Sequence, residues 1–316
     1  MNERIVFGFG AHTDIGEGPE LLRMVQQADR DGLDLFSLSD HPYLGGRLDA
    51  YAAIAFVLGA TRRLAGFANV TNLPTRPPAV LARTVTSLSA ISGSRVVFGM
   101  GAGGRWDRIS DMGVSRLTPG EAVDAFEEAI VLIRKLSGGG PPVTHHGRHY
   151  RVEGIEPAPV AAPPVWTGSV GRRSLAATGR VADGWIPGHA ADWLSDRYRT
   201  SRPVIDDAAA AVGREPRQIR TVFNLPGRIT DRPLAAPRDR DGRWAGGSTG
   251  QWIEELTSAV LDHGASGFLL FSPSGGAPDP ASLARWATEV VPAVREAVDS
   301  RRGPDIPAPG PGADRV

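Results

Sequence analysis

The sequence predicts an α/β protein of the (β/α)8 barrel class (a TIM barrel), and three observations lead to that prediction. Short runs of β-branched or aromatic residues alternate with longer helical patterns, and eight such pairs follow one another along the chain. The short runs are almost continuously apolar, which is typical of parallel strands covered by helices. Polar residues and glycines follow them, as at the mouth of a barrel. The alternative is an open doubly wound sheet, because one sequence does not reveal strand order.

The eight predicted strands are short apolar runs bounded by glycine, proline or polar residues. In chain order they span residues 5–9, 35–39, 65–70, 96–101, 165–168, 184–186, 220–225 and 267–271. Helical patterns follow each of these strands in turn. They span residues 19–31, 49–60, 78–92, 119–136, 173–181, 192–212, 249–263 and 280–297.

Capping residues mark several helix boundaries. Thr118 precedes Pro119 and Glu121, which predicts an N-cap followed by proline at the first helical position, and Ser248 is placed to cap the seventh helix. Glycine enters the left-handed region cheaply and therefore often ends a helix. Four predicted helices are followed by such a residue, namely Gly32, Gly93, Gly138 and Gly264.

Three segments do not fit the βα repeat. Residues 138–155, with VTHHGRHYRVEG, predict a small hairpin that turns at Gly147. Residues 230–247 are rich in proline, arginine and glycine and predict a mobile loop. The end of the chain, GPDIPAPGPGADRV, has no apolar periodicity. We therefore predict a single domain over residues 1–301 and a disordered tail over residues 302–316.

Composition narrows the classes of partner. The 316 residues include 35 Lys+Arg and 35 Asp+Glu, so no net charge favours nucleic acid or an anionic membrane. There is no cysteine, which excludes disulfides and thiolate chemistry. No apolar run reaches the roughly 18 residues of a membrane span, and the N-terminus lacks the pattern of a signal peptide. The sequence predicts a cytoplasmic protein with a small-molecule partner.

Polar residues and glycines gather at the predicted strand ends, which surround one mouth in a parallel barrel. They are His12, Asp40, His41, Asn69, the glycine cluster at 101–104, the turn at 168–172, His189, Asn224, Ser272 and Ser274. Histidine exchanges protons near neutrality because its ordinary pKa is about 6.5. We therefore predict His41, Asp40 and His12 as catalytic residues, with Asp40 orienting the imidazole or stabilising its protonated form. The alternative is an ordinary capped turn.

Two glycine-containing turns predict contacts with a ligand. Gly99-x-Gly101-x-x-Gly104 follows a strand and fits the dinucleotide fingerprint, but no helix opens directly after it. We interpret Gly101, Ala102 and Gly103 as backbone that approaches a flat ligand or its phosphate.

The turn WTGSVGRRS leads into the fifth helix, where amide groups and an arginine are suited to a phosphate. Its candidate residues are Gly168, Ser169, Val170, Gly171 and Arg172. The alternative is a simple βα turn with surface arginines. No metal site is predicted, since His145, His146 and His149 lie on the hairpin without a suitable carboxylate partner.

Three stretches resemble the bacterial luciferase-like flavin oxidoreductases. They are SDHPY after the second strand, NVTNLPTRPPAVLARTVTSLSAISGSRVVFGMGAG through the third and fourth units, and PPVWTGSVGRRSLAATGRVADGWIP later in the chain. The resemblance extends over residues 4–300. It implies a (β/α)8 barrel with FMN or the deazaflavin coenzyme F420 across its mouth.

The resemblance also implies roles for individual residues. Asp40-His41 is similar to the pair found in the deazaflavin-dependent dehydrogenases and reductases of the family. The bond between Asn69 and Val70 is expected to be a cis peptide behind the flavin ring, and the cofactor phosphate is expected at residues 168–172. Members are usually homodimers. This chain departs from the family pattern at Gly104. Sugar-phosphate dehydrogenases of the family carry a glutamate there as an acid, so the resemblance does not imply a sugar-phosphate substrate and leaves the catalytic acid unassigned.

We therefore predict coenzyme F420-dependent hydride transfer to or from a small organic substrate, with His41 exchanging the proton. The alternative is an FMN-dependent monooxygenase that receives reduced flavin from a partner flavin reductase and reacts with oxygen. A second alternative is a flavin-binding protein without catalytic activity.

Overall fold

The computed structural model describes residues 4–302, so the tail predicted to be disordered lies almost entirely outside the described residues. The strands of the described part are β1 Val6–Gly10, β2 Leu35–Leu38, β3 Ala65–Ala68, β4 Thr71–Asn72, β5 Phe98–Gly101, β6 Val143–His146, β7 Arg151–Ile155, β8 Val165–Thr167, β9 Gly184–Trp185, β10 Arg220–Pro226, β11 Arg228–Thr230, β12 Gly246–Ser248 and β13 Gly267–Phe271.

The helices cover the outer face of the sheet. They are α1 Gly18–Arg30, α2 Ala50–Ala60, α3 Pro78–Ser92, α4 Trp106–Asp111, α5 Pro119–Lys135, α6 Arg172–Val181, α7 Asp196–Ala210, α8 Thr249–His263, α9 Pro280–Arg285 and α10 Val291–Arg302. Short 3-10 turns occupy Ile15–Glu17, Leu73–Thr75 and Pro216–Gln218, and a π-helical segment, Trp286–Val290, joins α9 to α10.

Nine strands form one parallel sheet in the order β3-β2-β1-β13-β10-β9-β8-β5-β4. Strands β3 and β4 are two parts of a single third strand, and both contact the strand region of β5. Gly66 of β3 forms a bridge with Val96, and Thr71 of β4 pairs with Met100. The sheet is therefore closed, which confirms the predicted barrel and rules out the open doubly wound sheet.

The structure differs most from the predicted elements in two places. The third strand, predicted to run unbroken over residues 65–70, is interrupted between Ala68 and Thr71 by a cis peptide bond that joins Asn69 to Val70. The last helix, predicted over residues 280–297, is divided by the π-helical segment and continues to Arg302.

The predicted helix caps are present. Thr118 and Glu121 form a capping box at the start of α5, and Ser248 forms another with Gln251 at the start of α8. Gly93 and Gly264 end α3 and α8 in the left-handed region, where a side chain would be strained.

Both insertions pack on the barrel. Strands β6 and β7 form the predicted antiparallel hairpin, and Gly147 donates its amide to the carbonyl of Tyr150 in the turn. The segment predicted as a loop over residues 230–247 contains no helix or strand between Thr230 and Gly246. Its ends pair with each other as β11 and β12, and two side chains attach it to the barrel. Trp244 is buried against Trp252, and the guanidinium of Arg238 lies between two carboxylates. No helix within residues 4–302 is long and apolar enough to cross a membrane.

Candidate active site

The alternation of side chains along the barrel strands places the polar residues of the mouth. An apolar cluster fills the barrel interior with Leu35, Phe67, Trp166, Ile186, Val222 and Leu269. Side chains two positions apart point to the same face of a strand. The residue two positions after each of these therefore also points inward, one layer nearer the mouth. Those residues are Ser37, Asn69, Gly168, Gly188, Asn224 and Phe271, and all six line a cavity there.

Two adjoining cavities occupy the carboxyl ends of the strands. The larger, here called the mouth cavity, has a volume of about 690 Å³ and includes His12, Arg47 and His189 in its lining. The smaller, called the side cavity, has a volume of about 370 Å³. Its lining consists of Asp40, His41, Tyr43, Asn69, Val70, Thr71, Asn72, Gly101, Ala102, Gly103, Gly104, Arg105 and Gly168. The two cavities share His41, Asn69, Val70 and Gly168.

The Asn69–Val70 segment forms the boundary between the cavities. Its peptide bond is cis, as the resemblance implies. The amide of Asn69 donates to Asn224 Oδ1 across the mouth at 3.0 Å and to Ser37 Oγ at 3.3 Å. The side chain of Val70 packs against bare backbone, because a Cβ added at Gly101 would lie 2.6 Å from its Cγ2 and one at Gly168 3.2 Å from it.

The imidazole of His41 is held by Tyr43. Its Nδ1 lies 2.8 Å from the phenol oxygen, and the ring is half-buried where it lines both cavities. Burial lowers the pKa of His41, and the charge of Arg105 lowers it further, so neutral imidazole is the main form at pH 7. Burial raises the pKa of Tyr43, so its phenol keeps its proton.

Asp40 lies on the other side of the strand end and binds different partners. Its side chain is buried and accepts two hydrogen bonds from the Arg76 guanidinium, at 2.7 and 3.0 Å, and one from the amide of Asn72. The predicted pairing of Asp40 with the His41 ring is therefore corrected, since Tyr43 takes that position. Asp40 still acts on His41 through its charge, which opposes the lowering of the pKa.

Two further histidines line the mouth cavity. His12 lies 2.6 Å from a Glu17 carboxylate oxygen through its Nδ1. His189 follows β9, and its ring meets Phe271 edge-on with centroids 5.5 Å apart. Burial lowers the pKa of His189, and its ring has no hydrogen-bond partner within residues 4–302.

The predicted phosphate turn contacts the cavities only through Gly168. Ser169 is buried, its hydroxyl accepts from Thr178, and its carbonyl accepts from the Trp185 indole. A hydroxyl turned inward does not face a ligand at the mouth, which corrects the prediction of Ser169 as a phosphate contact. Val170, Gly171 and Arg172 are exposed at the start of α6 and line neither cavity.

Several lining residues were not selected from the sequence as site residues. Tyr43 and Asn72 lie in two of the stretches that resemble the family, SDHPY and the one beginning NVTN, but neither was given a role. Arg47 and Arg105 match no catalytic pattern. For His189 and Asn224, a polar residue at the end of a predicted strand correctly indicated a position at the mouth. The hairpin histidines have carboxylate partners that the sequence did not suggest, with His145 near Glu128 and His146 near Glu153. No group of three metal-ligating side chains occurs in the described range 4–302.

Comparison with known proteins places the chain in a family. Residues 5–270 match the family described as luciferase-like monooxygenase. The chain is 30% identical over 188 residues to a phthiodiolone/phenolphthiodiolone dimycocerosates ketoreductase of Mycobacterium kansasii, covering 58% of this chain and 48% of the relative. It is 28% identical over 228 residues to an F420-dependent glucose-6-phosphate dehydrogenase of Microbacterium testaceum, covering 69% and 67%. The chain thus spans about half the length of the first relative.

Among solved structures, the coenzyme F420 dependent tetrahydromethanopterin reductase of Methanopyrus kandleri superposes with a TM-score of 0.74. The match covers 92% of this chain and 99% of the reductase at 18% sequence identity. Similarity at that level of identity shows a common fold.

Removal of the Arg76 guanidinium is expected to destabilise the protein. Arg76→Ala leaves the buried Asp40 carboxylate without its cation, and breaking a buried pair in this way costs about 3–5 kcal/mol. Urea unfolding of both proteins measures the difference. Arg173→Ala is the matched control, because Arg173 pairs with Asp124 on the surface and its loss is expected to cost at most about 1 kcal/mol. If Arg76→Ala lowered the free energy of unfolding only as much as the control does, the buried Asp40 carboxylate would not require Arg76 for its stability.

Proposed function

This chain belongs to the luciferase-like monooxygenase family, and we propose that it is an oxidoreductase that transfers hydride between coenzyme F420 and a small organic substrate. The observation that carries the proposal is the position of His41, whose half-buried ring lines both cavities. The F420-dependent dehydrogenase among the relatives supports the choice of cofactor.

The residues at the mouth fit a flat tricyclic cofactor. The two connected cavities fall in the size range of small-molecule sites. Val70 and the side-chain-free backbone of Gly101 and Gly168 together provide a smooth apolar wall. The residues proposed to hold the ring are Asn69, Val70, Gly101, Ala102, Gly103 and Gly168. The exposed turn formed by Val170, Gly171 and Arg172 remains the proposed phosphate contact, through its amides and the guanidinium.

When bound, the cofactor supplies the two-electron hydride chemistry that protein side chains lack. The chain supplies the proton transfer. Tyr43 is proposed to accept from Nδ1–H of His41, which leaves Nε2 unprotonated and turned toward the mouth. Nε2 takes the hydroxyl proton of an alcohol substrate as its carbon is oxidised, and the imidazolium returns that proton in the reverse direction. Asp40 fixes the strand end that carries His41, and His12 is proposed as a second proton carrier at the rim.

The alternative function is an FMN-dependent monooxygenase, in agreement with the description of the family. A partner flavin reductase would then supply reduced FMN. Titration of the full chain with F420 and with FMN, followed by cofactor fluorescence, distinguishes the two. Tighter binding of FMN would replace the deazaflavin proposal, whereas binding of either cofactor without any turnover would indicate a flavin-binding protein.

Replacement of His41 is expected to remove proton transfer while leaving the cofactor site intact. His41→Ala should lower kcat by about 10²–10⁴-fold and change the Kd of the cofactor only a few-fold. Steady-state kinetics and fluorescence titration give the two values. His263→Ala, on the far end of α8, is a control for loss of a histidine. Unchanged turnover in the His41 variant would remove it from the mechanism.

Tyr43 is expected to act as a positioning residue for the His41 ring. Tyr43→Phe removes the phenol oxygen that faces Nδ1, and we expect kcat to fall about tenfold, the equivalent of one hydrogen bond, with little change in KM. ¹⁵N NMR of the cofactor-free chain should show His41 changing from the Nδ1–H form to a mixture of tautomers. Tyr198→Phe, whose hydroxyl donates to the carbonyl of His263, should leave the tautomer unchanged. An unaltered His41 spectrum in Tyr43→Phe would contradict the role.

We also propose that two copies of the chain form a homodimer through α2 and α3. Helix α2 contains no charged residue, and Phe56 on its outer face is 66% exposed. On α3, Val80 is 62% exposed and Ile91 79%. Exposed apolar side chains on two adjacent helices are typical of an interaction surface, and two-fold dimers are the commonest assemblies.

A charge on that surface is expected to prevent association. Phe56→Glu should convert a dimer into a monomer, because association would bury the carboxylate without a partner. Sedimentation equilibrium measures the mass of each protein. Val212→Glu, at an exposed apolar position beyond α7, should leave the mass unchanged. A wild-type mass of one chain, or a dimer that survives in Phe56→Glu, would contradict the proposed interface.

A further inference from the structure

Asn224 and His189 lie side by side on the inner wall of the mouth cavity. His189 follows β9 and forms a parallel bridge with Asn224 of β10. Residues paired in this way project from the same face of a sheet, on strands about 5 Å apart. Both line the mouth cavity, whereas neither lines the side cavity or is among the residues proposed to hold the cofactor. They form a polar pair that the proposed mechanism does not use.

The side-chain amide of Asn224 has a donor without an acceptor. Asn224 is 93% buried, since its relative exposure is 7%, and its Oδ1 accepts from Asn69 Nδ2. That nitrogen also donates to Ser37 Oγ, so both of its hydrogens are used and the orientation of the Asn224 amide is fixed. Asn224 Nδ2 donates to no group within residues 4–302 and is accessible from the mouth cavity. It is available to an oxygen of a ligand.

The imidazole of His189 is open to the same cavity. Neither ring nitrogen has a hydrogen-bond partner in the described part of the chain. The ring meets Phe271 edge-on, and a Cβ added at Gly275 would lie only 3.1 Å from Nε2. The absence of a side chain at Gly275 therefore leaves Nε2 uncovered on that side. Burial lowers the pKa of His189, so the neutral ring offers one donor and one acceptor at pH 7.

The described residues give the mouth cavity no uncompensated positive charge for an anion. Arg47 is the one arginine or lysine among those that line it, and its guanidinium binds Thr13 and the Asp14 carboxylate. The ring of His12 contacts the Glu17 carboxylate. Two carboxylates thus stand beside one arginine, which disfavours a carboxylate or phosphate on the ligand. The cavity is suited to an uncharged polar molecule.

His41 and the Asn224–His189 pair lie at opposite walls of the mouth. Strands β2 and β9 are the second and sixth of the eight barrel strands, and four steps separate them in either direction around the sheet. All three side chains line the mouth cavity, whose volume is about 690 Å³. A molecule whose reacting hydroxyl lies at His41 therefore extends with its other end toward the pair.

We propose that Asn224 and His189 bind a second hydroxyl group of the substrate, across the mouth from the hydroxyl that reacts at His41. A hydroxyl satisfies both side chains, because its oxygen accepts from Asn224 Nδ2 and its hydrogen is donated to the unprotonated nitrogen of His189. The substrate class is then an uncharged diol or polyol, or the corresponding hydroxy ketone in the reverse direction. This inference rests on the proposed function, which supplies the position of the reacting hydroxyl. Asn224 and His189 are specificity-determining residues in this assignment.

The test compares alcohols that differ by one hydroxyl. Steady-state kinetics of the full chain with saturating F420 give kcat/KM for hexan-2-ol and for hexane-2,3-diol, hexane-2,4-diol and hexane-2,5-diol. We expect kcat/KM for at least one diol to exceed that for hexan-2-ol about tenfold or more, the equivalent of one to two hydrogen bonds. Asn224→Ala and His189→Phe should each bring this ratio to within about twofold of unity. His145→Phe, which removes a ring paired with Glu128 on the hairpin, should leave the ratio unchanged.

Equal kcat/KM values for hexan-2-ol and every diol in the wild-type chain would overturn the proposal, as would a diol preference that survives in either variant. The effect of charge is measured with 5-hydroxyhexanoate, which carries a carboxylate in place of the far methyl group of hexan-2-ol. We expect its kcat/KM to be no higher than that of hexan-2-ol. A hydroxy acid that is preferred over every diol would overturn the assignment of an uncharged substrate.

A binding measurement separates failure of this inference from failure of the proposed function. ¹⁵N NMR of the cofactor-free chain follows the His189 ring nitrogens and the Asn224 side-chain amide, assigned from the two variants, during titration with each alcohol. We expect a diol to shift both signals by more than hexan-2-ol does. If no alcohol is oxidised with F420 while these shifts are present, the proposed function fails and the hydroxyl site stands. If alcohols are oxidised but no diol shifts either signal, the hydroxyl site fails and the proposed function stands.

Discussion

The buried ion pair between Asp40 and Arg76 is the interaction on which the geometry of the mouth depends. Asp40 follows the second strand, β2, and it binds both the Arg76 guanidinium and the amide of Asn72 in β4. The same guanidinium reaches Asp49, the N-cap of α2, and lies over the ring of Tyr51. The Asp40 carboxylate, together with Arg76, therefore connects three segments. They are the end of β2, strand β4 beyond the cis bond, and the start of α2. A network of this kind is rigid because each member has its partners.

This network explains why Asp40 and His41, although adjacent in the chain, have different roles. Successive residues at a strand end point in different directions, so one of the pair turns into the wall and the other toward the mouth. Asp40 is 2% exposed and is held in the wall, and His41 is half-buried at the junction of the cavities. The carboxylate fixes the backbone from which the imidazole projects. Both of its oxygens accept hydrogen bonds from Arg76, so Tyr43 and not Asp40 holds the ring.

The sequence predicted the parts of the fold and site that depend on local pattern. Eight apolar runs with eight helices specify a barrel, and the period of two along each strand brings Asn69 and Asn224 to one layer of the mouth. The third strand was predicted as continuous, since nothing in its composition marks the break. The pairing of Asp40 with Arg76 and of His41 with Tyr43 depends on the path of the loops at the strand ends. Loop paths leave no periodic pattern in the sequence, so these partners could not be predicted. Ser169 was predicted to face a phosphate, but a serine in a glycine-rich turn can equally well face the interior. In the structure its hydroxyl does so and accepts a hydrogen bond from Thr178.

The electrostatics of the mouth follow from the same arrangement. A free carboxylate beside His41 would stabilise the imidazolium and raise its pKa, as aspartates do for histidines in many catalytic sites. Here Asp40 is shared with Arg76, so burial and Arg105 outweigh it and lower the pKa of His41. A neutral imidazole is a proton acceptor, and a nearby cation favours the negative charge that develops on a hydroxyl oxygen as its proton leaves. In the proposed reaction, the site is therefore arranged to take a proton from a hydroxyl at neutral pH, and the buried pair is the reason that it does so.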